Sequence, residues 1–119
     1  MFYVLRYWFI DQSTCQFYIY PLKSPTLIEM SSLPYLAEYL GTFFFILSIF
    51  ASGGNPLIIG GALAIVIYLI AGHSGGHVNP AVSAAMHLNG SISQSKLVYY
   101  IIAQVLGALS AYYAYKMAR

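Results

Sequence analysis

Asn79, followed by Pro80 and Ala81, is the most chemically pointed triplet in the sequence. Asparagine ahead of proline starts a helix: its side-chain oxygen caps orphan N–H groups, and proline suits the first helical position. The amide has two donors and an acceptor, so Asn79 can offer its NH₂ to a passing water or hydroxyl, cap the helix, or do both. A helix that starts in a low-dielectric interior also presents a positive dipole end there. That field disfavours protons and other cations and spares a neutral hydrogen-bonding solute.

Ser74-Gly75-Gly76-His77-Val78 leads into the cap. Glycines permit a close-packed extended backbone whose carbonyls can line a conduit as successive acceptors, or they let a loop tuck between helices. His77 either lines such a conduit or braces the loop. His73 and His87 have no surrounding carboxylate or cysteine, which argues against a metal or acid–base site. Glu38 and Gln104 stand inside long apolar stretches, where an ionised or amide group must turn inward and find partners. A loop rich in backbone N–H groups supplies what Glu38 needs. Both are expected to act as structural braces, with Pro80 stiffening the half-helix start.

Three apolar stretches are long enough, or nearly so, to position these groups across a hydrocarbon core of roughly 30 Å. They run from about Leu33 to Ser52, Leu57 to Gly72 and Ser95 to Tyr115. Gly53-Gly54-Asn55-Pro56 forms the turn between the first two. Ala81 to Leu88 is a short helical run that Asn89-Gly90 stops. With its first residue it would reach about 13 Å, halfway through a bilayer, so a re-entrant half-helix is expected. Gly41, Gly60, Gly61 and Gly107 offer small surfaces for close helix contact.

Composition supports the same class. Sixty per cent of the residues are hydrophobic, and five basic and three acidic side chains cannot wet the surface of a soluble protein this small. A formal charge of +2 without a basic patch excludes a nucleic-acid partner. No nucleophile–base pair, metal constellation or phosphate-binding loop is present, so neither an enzyme nor a cofactor is expected. Cys15 is a lone cysteine and forms no internal disulfide. Met1 to Ile10 is aromatic, carries Arg6 and is followed by no small-residue cleavage site. The domain reading is an aromatic-rich arm over 1–32 and a helical membrane unit over 33–119.

Several segments, in this order and spacing, resemble the first half of the aquaporin and aquaglyceroporin family. Ala37-Glu38-Tyr39-Leu40-Gly41-Thr42 is similar to the opening of its first helix. Ala64 to Leu69, with the run through His77-Val78-Asn79-Pro80-Ala81-Val82, is similar to its second helix and first re-entrant loop. Tyr100 to Gln104 with Gly107 is similar to its third helix. The resemblance covers about Pro34 to Tyr115, and the stretch ending in Val78 leans toward the glycerol-conducting branch.

What the resemblance implies is an all-α membrane protein, an aquaporin-like half-channel with three transmembrane helices and one re-entrant half-helix. It implies that Asn79 faces a pore lined by carbonyls around Gly75, Gly76, His77 and Val78, and that Glu38 braces the loop. Ile59 matches the position from which the family's second helix contributes a bulky, usually aromatic, filter residue. An aliphatic side chain there departs from an ordinary narrow water filter. The family has six spans in two inverted repeats, and its filter arginine has no counterpart here.

The expected function is therefore facilitated diffusion of water or a small neutral solute such as glycerol, through a pore completed by oligomerisation. The completing surface would be an inverted second copy or a complementary membrane subunit. Lys96 would share a membrane face with Arg6 and Lys23, leaving Lys116 and Arg119 on the other, a weak bias compatible with mixed insertion. The alternative is a non-conducting structural subunit of a larger membrane complex.

Overall fold

The computed structural model describes residues 32–119; the N-terminal aromatic arm and Cys15 lie outside them. These residues form α1 (Leu33–Ala51), α2 (Pro56–Ser74), α3 (Pro80–Leu88) and α4 (Gln94–Met117). The three long helices are each apolar and long enough to cross a membrane. No strand occurs among the described residues.

Each boundary has a local cause. Proline stands in the first turn of α1, α2 and α3, where its missing N–H costs nothing. The α1–α2 turn uses Gly53 and Gly54 at φ +61° and +85°. Asn55 Oδ1 then accepts from the N–H groups of Leu57 and Ile58 at 3.0 and 3.4 Å, capping α2. Ser93 does the same for α4, accepting from the Lys96 N–H at 3.2 Å.

The second span runs two residues beyond the expected Gly72, through His73 and Ser74. Neither residue opposes helix strongly. Gly75, at φ +95°, ends α2 in the left-handed conformation, with its N–H bonded to the Ala71 carbonyl at 3.0 Å.

Side-chain pairs fix the directions. Tyr35 meets Tyr99 and Tyr100, Glu38 meets Gln104, and Phe50 meets Tyr115, so α1 and α4 run parallel. Ser74 returns to Glu38, making α2 antiparallel to α1. α1 and α4 come close together at Gly107, where a Cβ would collide with the Tyr39 carbonyl oxygen. Tyr39 also donates its hydroxyl to Ser110 Oγ at 2.9 Å across the same seam. Gly41 makes the corresponding notch toward α2, whereas a Cβ on Gly60 or Gly61 would meet nothing within 4 Å among the described residues beyond its own helix backbone.

α3 leans on α4 rather than crossing the full span. The 24 residues of α4 extend about 36 Å, and Gln104 lies about 15 Å along them. Gln104 Nε2 donates to Ser83 Oγ at 2.9 Å, one turn inside α3. The N-terminus of the nine-residue helix is thereby held near the middle of α4.

Candidate functional site

The loop between α2 and α3 is organised around one carboxylate. Glu38, the sixth residue of α1, is 0 % exposed. Its Oε1 accepts from Ser74 Oγ at 2.6 Å and from the His77 N–H at 2.9 Å. Its Oε2 accepts from the Val78 N–H at 2.6 Å and from Gln104 Nε2 at 2.9 Å. Four donors from three elements of the chain satisfy both oxygens, the condition under which a buried carboxylate is tolerated.

A second tier locks these partners to one another. Ser74 Oγ accepts from the Gly76 N–H at 3.1 Å, and Tyr100 donates its hydroxyl to the Ser74 carbonyl at 2.6 Å. Ser83 Oγ lies 3.0 Å from His77 Nδ1 while accepting from Gln104. The Ser83 hydroxyl can serve His77 Nδ1 as donor or acceptor while it accepts from Gln104, so this contact fits either tautomer of the ring. The His77 ring meets Tyr100 edge to face at 5.2 Å between centroids.

The loop backbone is shaped accordingly. Gly75 and Gly76 have φ +95° and +66°, and Val78 stands at φ +44°. Positive φ is uncommon outside glycine and a genuine outlier for a β-branched residue. The Val78 N–H bond to Glu38 and the burial of its side chain, 3 % exposed, offset that strain.

Asn79 follows in extended conformation, and its Oδ1 accepts from the Ala81 N–H at 2.8 Å. The oxygen caps α3; the amide NH₂ makes no hydrogen bond to a described residue. Asn79 is exposed, as are Gly75 and Pro80. Such a group can donate to a solute at the positive end of the half-helix.

Of the candidate residues, the structure brings Glu38, Gln104, Gly76, His77 and Val78 into one hydrogen-bonded cluster. His77 and Val78 are buried as whole residues, at 6% and 3% exposure. Ile59 stands in the first turn of α2, 15 residues and about 22 Å along the helix from Ser74, and takes no part in this cluster. Ser74, Ser83 and Tyr100 were not singled out from sequence. Their one signal is polarity: Ser83 and His87 are the polar side chains of α3, and both make hydrogen bonds.

No group of three or more His, Cys, Asp or Glu able to hold a metal occurs among the described residues.

The family model described as major intrinsic protein matches residues 28–118. The chain is 42% identical over 90 residues to glycerol uptake facilitator protein-like 6 of Lactiplantibacillus plantarum, covering 69% of this chain and 42% of that protein. It is 45% identical over 87 residues to aquaporin-9 of Homo sapiens, covering 61% of this chain and 30% of the relative. Fifty residues are 50% identical to the probable aquaporin PIP2-2 of Oryza sativa subsp. japonica, 42% of this chain and 17% of that one. The chain thus spans less than half the length of these relatives. No solved structure matches significantly. The matched family consists of membrane channels, not enzymes, and three spanning helices make this an integral, multi-pass membrane protein. The family match over most of the chain, carried by a buried carboxylate that holds a glycine loop and a half-length helix, establishes that the chain belongs to the major intrinsic protein family.

Proposed function

We propose that the chain forms one half of a channel for facilitated diffusion of water or a small neutral solute such as glycerol, its pore completed by a second membrane surface. The observation that carries this reading is the exposed amide of Asn79 at the start of a half-length helix held beside the middle of α4. The carboxamide oxygen caps Ala81, which leaves the NH₂ group of this exposed residue to donate to a solute. Backbone carbonyls of Gly75, Gly76, His77 and Val78 provide the acceptors, Asn79 the donor, and the dipole end of α3 the barrier to cations.

The completing surface is a second copy in the opposite orientation, or a complementary membrane subunit. Lys96 near the start of α4, and Lys116 and Arg119 at its far end, leave the charge asymmetry small enough for both insertions. The relatives' names, a glycerol uptake facilitator and aquaporins, support the solute class. Ile59, aliphatic at the resembling filter position, favours a passage wider than a water-only one.

The test is stopped-flow shrinkage and swelling of proteoliposomes containing only the purified chain, under water and glycerol gradients, with Asn79→Asp alongside. Aspartate retains the cap and replaces the donor by an acceptor, so the variant is expected to fold and lose solute flux. Wild-type permeability no higher than that of empty liposomes overturns conduction by this chain on its own.

A further inference from the structure

We propose that Gly41 and Val78 form a fitted pair that positions the conducting loop, with Val78 as a selectivity-determining residue that acts through its backbone. This rests on the half-channel reading above and goes further, by naming what sets the direction of the loop at Asn79.

The argument begins with strain. Val78 is the one described non-glycine residue at positive φ, and it immediately precedes Asn79. The ψ of Val78 and the φ of Asn79 together aim the Val78 carbonyl and the Asn79 side chain. Whatever holds Val78 at φ +44° therefore holds both groups. A single N–H···O bond to Glu38 restrains the nitrogen side of the residue. The side chain needs its own restraint, because relaxation to negative φ would swing Cβ away.

Gly41 supplies it. This glycine lies one turn beyond Glu38 on the same face of α1, and a Cβ built on it would stand 2.8 Å from Val78 Cγ1. The same point is 2.6 Å from Ile70 Cδ1 and 3.1 Å from Val66 Cγ1. Three aliphatic side chains, two from α2 and one from the loop, thus converge on the missing methyl. Ile70 reaches in with the far end of a flexible side chain and can withdraw. Val78 Cγ1 is attached directly to Cβ on a stiff rotor and gives way less readily than the end of the Ile70 chain. An alanine at position 41 is therefore transmitted to the loop chiefly through Val78.

The fit also makes a reciprocal prediction. The methyl introduced by Gly41→Ala would press into the space Val78 Cγ1 fills, so Gly41→Ala together with Val78→Gly refills the notch from the other side. Glycine at 78 adopts φ +44° without strain. Each single change disturbs the loop: Gly41→Ala by collision, Val78→Gly by emptying the notch and freeing the backbone. The double variant has no collision and a refilled notch, so it disturbs the loop no more than Val78→Gly alone, whose freed backbone it shares. Ordinary packing loss predicts the opposite, additive damage.

The experiment is amide hydrogen exchange on the full chain in nanodiscs, with glycerol and water fluxes of the same variants in proteoliposomes. Each single variant is expected to exchange the Gly76 to Asn79 amides about tenfold faster, the factor that strain of this class corresponds to. The double variant should exchange no faster than Val78→Gly alone. The glycerol-to-water flux ratio should change in the singles, with no further change when Gly41→Ala is added to Val78→Gly, at equal protein incorporation. Unchanged exchange in Val78→Gly, or a double variant worse than Val78→Gly alone, overturns the pairing. If Gly41→Ala does not insert, the Val78→Gly and double variants still decide. Should wild type conduct nothing, the half-channel reading fails by itself, while the exchange pattern continues to judge the pair.

Discussion

Gly107 packs its Cα directly against the Tyr39 carbonyl oxygen, leaving no room for a side chain between α1 and α4. The Phe43 backbone nitrogen would lie 3.2 Å from a Cβ placed there, so both obstacles are backbone and neither can rotate away. Gly107→Ala must separate the helices and stretch the Tyr39–Ser110 hydrogen bond. The expected cost is about 2 kcal/mol, within the range for overpacking a fitted core. Thermal unfolding in detergent reads it as a lowered midpoint. Gly60→Ala, whose Cβ would meet nothing within 4 Å among the described residues beyond its own helix backbone, should leave that midpoint unmoved or raised.

Glu38→Gln is nearly isosteric and is still expected to be severe. Glutamine keeps one acceptor oxygen and turns a donor toward groups that themselves donate: Ser74, His77, Val78 and Gln104. Losing two charge-assisted bonds in a buried site costs about 3 kcal/mol or more. Exchange at the His77 and Val78 amides should rise sharply, while amides in the middle of α1 stay protected. Equal protection in both places would contradict the bracing role given to Glu38.

Tyr100→Phe separates ring from hydroxyl. The aromatic contacts with Tyr35 and His77 survive, and only the 2.6 Å bond to the Ser74 carbonyl is lost. About 1 kcal/mol is expected, with faster exchange confined to the last turn of α2 and Gly76. A loss as large as that of Glu38→Gln would mean that the ring, not the hydroxyl, had been displaced.

Orientation can be read by chemical labelling. Ser91 and Ala118 are exposed and lie at opposite ends of the spanning bundle. In a Cys15→Ser background, Ser91→Cys and Ala118→Cys are each expected to react with an impermeant thiol reagent in intact vesicles, in complementary fractions. Labelling of only one site would rule out a second copy inserted the other way and leave a complementary subunit as the completing surface.

The long helices and their punctuation were legible in the sequence because each depends on neighbours a few residues away. Asn55 and Asn79 cap the helices they precede, and Gly53-Gly54 and Asn89-Gly90 stand in the turns. The need of Glu38 and Gln104 for inward partners was legible too, since lipid offers none. Which glycines touch a neighbour was not. Gly60 and Gly107 sit in equally apolar runs, and only the crossing of α1 with α4 makes the second indispensable. Ser83 was missed for a related reason: a serine in a short helix has nothing local to mark it, and its partners are Gln104, 21 positions on, and His77. The positive φ of Val78 was illegible, because a β-branched residue is the last one whose sequence would suggest it.

The parallel run of α1 and α4 has a consequence for how such units combine. Three crossings put the first and last helix ends in opposite leaflets. If the unit were copied head to tail, the duplicate would begin its first helix from the far leaflet and enter upside down with no rearrangement of its own packing. An even number of crossings would have repeated the original orientation. The inverted companion proposed for the half-length helix is thus a matter of parity, available to any gene that doubles this segment.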